Sequence, residues 1–198
     1  MHGKVLVTGT SVADRLLTPL REAGLTVENP TGLLNEEQLA EQLRDSVAYL
    51  LGGDEVASGK ALANASALNA IAFLGVGYES FVDTGAATAL GIPITNTPGT
   101  LVQSVAEFTV GQMLNATRRL SVYGRRFVLG DADPEEKRHD LASLHTGIIG
   151  LGAIGTRIAE ILRTGFGAKV SYWSRTRKLN EEHRLKIHYA ELPALLPT

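Results

Sequence analysis

The segment Thr146–Leu162 (TGIIGLGAIGTRIAEIL) constrains this chain more than any other. A short apolar strand, Gly147–Ile149, runs into three glycines spaced G-x-G-x-x-G, and an amphipathic helix follows them. A second strand, Lys169–Trp173, comes after that helix. The two strands can then pair only in parallel, through a right-handed crossover. In such a unit Gly150 permits the tight turn and Gly152 lets backbone approach a pyrophosphate. Gly155 allows close helix–strand packing, and the N–H groups near Ala153 and Ile154 hold phosphate oxygens. A glycine-rich turn with no ligand is the competing reading of the same letters.

The rest of the chain alternates in the same way. Strands are expected at Lys4–Thr8, Leu25–Glu28, Val47–Leu51, Ala70–Leu74 and Ile92–Thr95. Between them the pattern predicts helices at about Ser11–Ala23, with Leu16, Leu17 and Leu20 on one face, then one with Asn35 as its N-cap and Glu36 and Glu37 in its first turn, running to about Arg44, and others around Lys60–Ser66 and near Thr84–Leu90. Apolar strands separated by helices imply an α/β architecture with a parallel sheet. Residues 1–100 therefore read as one α/β domain. After the turn Asn96–Gly99, a long helix is expected over Val102–Leu120, then a charged loop, Gly130–Asp140, before the alternation restarts. A basic loop and a weak strand, Lys186–Tyr189, end the pattern. Residues 101–198 thus hold the first half of a doubly wound domain, with an open parallel edge and an uncovered apolar face.

Composition narrows the function classes. The 198 residues carry 19 Lys+Arg against 21 Asp+Glu, a net charge of −2, which is no footprint for nucleic acid. No cysteine is present, so disulfides, thiolate catalysis and cysteine metal sites are excluded. No apolar run reaches the ~18 residues of a membrane span, and no signal-peptide core precedes the first strand. A soluble, cytoplasmic protein without nucleic-acid or membrane partners is expected.

Two further positions carry chemistry. At the end of the strand after the glycine turn, an NAD site places an acid that accepts from the ribose hydroxyls. Here Ser174 stands there, followed by Arg175, Thr176, Arg177 and Lys178. Three cations and no acid suit a ribose 2′-phosphate, so NADP (as NADPH) is favoured over NAD. The alternative is a solvated basic loop. In the first domain Gly75-Val76-Gly77 sits at the carboxyl end of a strand, where open α/β sheets bind ligands and backbone N–H groups can meet a small anion. A structural turn is the other reading.

Together these stretches carry a family resemblance. LGVGYESFVD (Leu74–Asp83), GIPITNTPG (Gly91–Gly99), Val105-Ala106-Glu107, Arg118-Arg119 and TGIIGLGAIG (Thr146–Gly155) resemble the D-isomer-specific 2-hydroxyacid dehydrogenases. Their order and spacing fit across nearly the whole chain, and the SRTRK loop resembles the NADPH-preferring glyoxylate/hydroxypyruvate reductase branch. The resemblance implies a flavodoxin-like substrate domain (1–100), then an interdomain helix and the first half of a Rossmann-type dinucleotide domain (101–198). It implies that Val76 and Gly77 bind a substrate carboxylate and that Val105 lies beside the nicotinamide. The pyrophosphate turn then maps to Gly152–Gly155 and the ribose loop to Ser174, Arg175, Thr176 and Arg177. Glu107 and Arg119 match charged positions of the same helix, as structural or functional groups. The segments Tyr78–Asp83 and Arg163–Phe166 each run one residue longer than the commonest family pattern.

The activity implied is hydride transfer between a nicotinamide and C2 of a small 2-keto or 2-hydroxy acid, in a homodimer formed through the 102–120 helix. The family's catalytic Arg, Glu and His have no counterpart here, so a truncated and inactive chain is expected. None of the five histidines, His2, His139, His145, His183 and His188, has an acidic orienter near Val76, and no catalytic residue is assigned. The alternative is a non-catalytic nucleotide-sensing or interaction module of the same descent.

Overall fold

A computed structural model describes residues 3–9, 12–130 and 138–196. The chain divides into two compact units, Met1–Pro98 and Gly99–Thr198.

In the first unit the elements run β1 (Lys4–Thr8), α1 (Thr18–Glu22), β2 (Thr26–Glu28), α2 (Glu36–Leu43), β3 (Ser46–Leu51), α3 (Gly59–Leu62), β4 (Ala70–Phe73), α4 (Thr84–Ala89) and β5 (Ile94–Thr95). All pairings within the sheet are parallel, in the order β2-β1-β3-β4-β5. This is the flavodoxin-like order, which reverses between β1 and β3. Successive side chains of a strand point to opposite faces. Leu6 therefore joins Leu39, Leu43, Tyr49, Leu51 and Ile71 on one side, while Val5 and Val7 pack with Leu17 on the other. With both faces covered, the strands read as continuous apolar runs. Asn35 caps α2 as expected: its Oδ1 accepts from the Gln38 N–H at 2.9 Å, and Gln38 Oε1 accepts from the Asn35 N–H at 3.0 Å. Ser58 caps the shorter α3 in the same sense.

The continuous helix expected from Ser11 to Ala23 is not formed, and its first residue, Ser11, lies outside the described residues. A 3-10 turn covers Asp14–Leu16 and α1 starts afresh at Thr18. Pro19 explains the break: inside a longer helix it would lack its N–H and its ring would clash with the Arg15 carbonyl, whereas in the first turn it fits. The expected apolar stripe is broken as well. Leu17 is 1% exposed, but Leu16 is 58% exposed.

In the second unit the elements are α5 (Val102–Arg118), α6 (Leu120–Leu129), β6 (His145–Ile149), α7 (Ala153–Gly165), β7 (Lys169–Trp173), α8 (Leu179–Leu185), β8 (His188–Tyr189) and α9 (Leu192–Leu195). The sheet is parallel, in the order β6-β7-β8. Ala106 and Val110 of α5 pack with Ile158, Ala159 and Leu162 of α7 and with Val170 and Tyr172 of β7.

Four expectations need correction here. The long helix stops at Arg118, because Arg119 turns left-handed at φ 54° and a separate helix, α6, begins. Asn115 holds that joint: its Oδ1 accepts from both the N–H and the hydroxyl of Ser121 at 2.8 Å. The basic stretch after β7 is not wholly loop, since Leu185 is buried and anchors α8. The last strand is only His188–Tyr189, because Lys186 adopts φ 53° and leaves strand geometry. The apolar face expected to be bare is covered in part: α9 sets Leu195 against Gly147, while Ile149 on the same face stays 59% exposed. Of the expected charged loop, residues 131–137 lie outside the described residues, as does the terminal Pro197-Thr198. No helix among the described residues is long and apolar enough to cross a membrane.

The break in the α1 region has a direct test. Leu17→Ala should destabilise the protein by about 2–5 kcal/mol, whereas Leu16→Ala should change stability by less than about 0.5 kcal/mol. Urea unfolding of the two variants beside the parent checks this, and equal losses would restore the single-helix reading.

Candidate functional site

The carboxyl end of β6 and the start of α7 form the first part of the site. Gly150 takes φ +95° and donates its N–H to the Trp173 carbonyl at 2.7 Å, which pins the turn to β7. Gly155 comes so close to this turn that a Cβ would stand 2.1 Å from the Gly150 carbonyl oxygen. Around Gly152, by contrast, a Cβ would meet nothing within 4 Å. The N–H groups of Gly152, Ala153 and Ile154 have no acceptor among the described residues. A helix start with such orphan donors and open space before it is suited to an anion.

A cavity of about 310 Å³ adjoins the turn, lined by Ile149, Gly150, Leu151, Gly152, Trp173, Ser174, Arg175, Thr176 and Lys178. The structure thus brings the glycine turn and most of the sequence-selected loop together. Arg175 is exposed and makes no hydrogen bond or ion pair among the described residues. The Ser174 hydroxyl donates within the loop, to the Thr176 carbonyl at 2.8 Å.

Arg177 departs from expectation. It does not line this cavity; its Nε and Nη2 donate to the two carboxylate oxygens of Glu182, each at 2.8 Å. The reading of three cations and no acid therefore misses an acid. Glu182 lies one turn into α8, five residues along the chain, a helix that the local pattern does not predict. The Tyr172 hydroxyl donates to Glu182 at 2.8 Å and accepts from the Lys178 N–H at 2.7 Å. The Arg177 guanidinium beside it, with help from Tyr172, holds the Glu182 carboxyl down at about 2. Burial, more than the Glu182 contact, pushes the Tyr172 hydroxyl up.

On α5, Val105 is exposed. Glu107, of the same helix, accepts a hydrogen bond from Gln103, whose Oε1 in turn accepts from Arg157 Nε at 2.7 Å. Arg157 also pairs with Glu160 at 2.7 Å, and Arg184 of α8 reaches Glu160 at 2.8 Å. Glu107 is thus one end of a polar chain across three helices. Arg119 stands at the left-handed joint before α6.

In the first unit, Val76 and Gly77 follow β4. Their carbonyl side is tied down: Asn96 Nδ2 donates to the Val76 carbonyl at 3.0 Å, and the Thr97 N–H donates to the Gly75 carbonyl at 2.9 Å. The N–H groups of Val76 and Gly77 have no acceptor among the described residues. A residue missed by sequence reasoning also lies in this unit. Glu55 is 3% exposed, and its Oε2 has no partner among the described residues. It packs where a Gly53 side chain would otherwise stand, with 2.2 Å from that oxygen to a Gly53 Cβ. The stretch Gly53-Asp54-Glu55 was its only sequence signal.

The histidines stay apart. His145 shares a 2.8 Å hydrogen bond with Ser171, the side chains of His139, His183 and His188 are exposed, and His2 lies outside the described residues. No group of three or more His, Cys, Asp and Glu among the described residues could hold a metal ion.

Residues 110–198 match the D-isomer specific 2-hydroxyacid dehydrogenase, NAD binding domain. The chain is 36% identical over 172 residues to the glyoxylate reductase of Thermococcus gammatolerans, an alignment covering 81% of this chain and 50% of that one. It is 32% identical over 192 residues to the glyoxylate/hydroxypyruvate reductase B of Salmonella schwarzengrund, covering 94% and 58%. Among solved structures, a protein of Thermus thermophilus matches with a TM-score of 0.87 at 32% identity, over 98% of this chain and 61% of its own. The chain spans about half the length of the curated relatives it matches.

Two outcomes test the geometry. Gly155→Ala must push α7 off the turn and should lower stability by at least about 1 kcal/mol, read by urea unfolding. Glu182 has a folded value near 2 against an ordinary 4.5, so its ionised form stabilises the fold fully above about pH 4.5. That contribution is lost as pH falls towards 2. The stability gap between the parent and Glu182→Gln should therefore be full at pH 7 and close below pH 4.5; a gap that widens in acid would sink the assignment.

Proposed function

The chain belongs to the D-isomer-specific 2-hydroxyacid dehydrogenase family, and on that premise we propose that its residues bind the cofactor and the substrate carboxylate in the NADPH-dependent interconversion of a small 2-keto acid and its 2-hydroxy acid, the catalytic Arg, Glu and His having no counterpart among them. The observation that carries this reading is the glycine turn: three unpartnered N–H groups at the start of a 13-residue helix, before a space that a single Cβ at Gly152 would enter. These residues fit a pyrophosphate, with Gly150 and Gly155 shaping the turn and Gly152, Ala153 and Ile154 donating to its oxygens. The loop Ser174–Arg177 then faces the adenosine ribose. Exposed Arg175 offers a fork of donors to a 2′-phosphate, Lys178 adds a point charge, and Ser174 adds no charge that would repel it. When bound, the nicotinamide supplies the hydride. Val105 gives an apolar contact to its ring. In the other unit, Val76 and Gly77 direct two N–H groups at a substrate carboxylate, held in that pose by Asn96 and Thr97. The glyoxylate reductase relatives support a small keto acid as substrate.

A homodimer follows from the same reading. The helix α5 exposes Phe108, and α6 exposes Leu120, Phe127, Val128 and Leu129, with Phe127 88% exposed. Exposed large apolar side chains in this number are suited to a second copy. Light scattering at micromolar concentration should give a dimer, and Phe127→Glu should give a monomer of unchanged fold.

For the cofactor, each charge-assisted hydrogen bond is worth about 1.5–3 kcal/mol, so NADPH should bind at least ~10-fold tighter than NADH. Arg175→Ala should lower that preference, and Ser174→Asp should abolish or reverse it. Gly152→Ala should weaken both cofactors by about 10-fold or more while leaving the unfolding midpoint unchanged, since its backbone, at φ −82°, suits alanine. Equal affinity for NADH and NADPH in the parent protein would overturn the NADPH assignment. Undiminished binding by Gly152→Ala would overturn the site.

A further inference from the structure

The two arginines of the loop after β7 have different surroundings. Arg175 lines the cavity beside the glycine turn. Arg177 lines a separate cavity with Lys178, Leu179, Asn180 and Glu181, and its guanidinium lies 5.5 Å from the centre of the Tyr189 ring. Both of its engaged nitrogens face Glu182, whose side chain is only 13% exposed. The pair is bidentate, with the carboxylate shielded and the guanidinium 57% exposed; it carries no net charge, so the uncompensated charge of the loop is that of Arg175 and Lys178. Turning Arg177 towards a ribose phosphate would leave the shielded carboxylate with Tyr172 as its remaining partner, an unfavourable exchange.

We propose that Glu182 is a positioning residue that sets cofactor specificity: by holding Arg177, it leaves Arg175 as the one guanidinium of the loop that meets a ribose 2′-phosphate. This rests on the reading that Ser174–Arg177 face the ribose. Glu182 acts through Arg177 and touches no cofactor atom. It also fixes the path of the loop, because Tyr172, which donates to Glu182, receives the Lys178 N–H. Removing the carboxylate's charge releases a cation next to the ribose subsite. Removing Arg177 instead leaves an uncompensated anion there.

Titration of the whole chain with adenosine 2′,5′-bisphosphate and with 5′-AMP tests this, followed by the fluorescence of Trp173, the single tryptophan, which lines the cavity. The quantity read is the affinity ratio of the two probes. Arg177→Ala should lower the ratio about three-fold or more, and Glu182→Gln should raise it by a similar factor. The double variant Arg177→Ala/Glu182→Gln should return to within about two-fold of the parent, because both removed a neutral pair together. Arg175→Ala should reduce the ratio in every background. A double variant as weak as Arg177→Ala would mean that Arg177 grips the phosphate itself, and the proposal fails; so it does if Glu182→Gln lowers the ratio or leaves it unchanged. A parent ratio near one sinks the NADPH reading, while the opposite responses of the single variants still decide the role of Glu182.

Discussion

In the second unit the backbone of α7 crosses the end of β6 with less clearance than one methyl group needs. A Cβ on Gly155 would stand 2.1 Å from the Gly150 carbonyl oxygen. That approach sets the direction in which the helix leaves the turn, and with it the direction of the free N–H groups of Gly152, Ala153 and Ile154. The same turn is fastened to β7 through Gly150 and Trp173. Where β7 ends is therefore tied to where the helix begins, and the loop from Ser174 onward starts from a fixed point beside the helix dipole. A glycine contact of no chemical character of its own thus orders the backbone N–H groups of the candidate site in this unit.

Magnitudes separate what holds this unit together from what orients it. The chain Glu107–Gln103–Arg157–Glu160–Arg184–Glu181 joins α5, α7 and α8, and Arg157 and Arg184 hold the Glu160 carboxyl below its ordinary value. Its members are at least a quarter exposed where they pair, and surface ion pairs contribute about 0–1 kcal/mol each. Burial of Ala106, Val110, Ile158 and Leu162 carries far more, at about 1.5–3 kcal/mol for each large side chain. Apolar packing therefore supplies the stability and fixes which faces of the helices turn inward, and the polar chain links their exposed sides. The Tyr172–Glu182–Arg177 group differs because Tyr172 is fully buried and Glu182 is shielded. There a few hydrogen bonds decide the shape of a loop.

The first unit uses its parallel sheet in a comparable way. Both faces of β1 are buried, so the sheet cannot shift register without exposing one of two cores. That rigidity lets the segment after β4 present the unpartnered N–H groups of Val76 and Gly77, with Asn96 and Thr97 fixing the carbonyls on the other side. At the end of β3, Glu55 lies against Gly53 by the same economy of a missing side chain.

Much of this was legible in the letters. The strand positions, the cap at Asn35 and the glycine turn are each specified by residues within a few places of one another, and local sterics and hydrogen bonding act over that range. The break at Pro19 was legible too, since proline's missing N–H is local, but the apolar spacing of Leu16, Leu17 and Leu20 masked it. What no local pattern contained was the direction of long side chains. Arg119 turns left-handed because Asn115 can cap the next helix, and α8 forms because Leu185 finds a core to enter. Arg177 and Glu182 become a pair only once that helix brings the carboxylate round to face the loop. The sequence by itself determined the alternation of strands and helices as far as β7, the parallel α/β class and the glycine turn between β6 and α7. Only the tertiary structure decided which cations near that turn stay available, because a charged side chain several bonds long takes its direction from partners that the fold, and not the neighbouring residues, brings within reach.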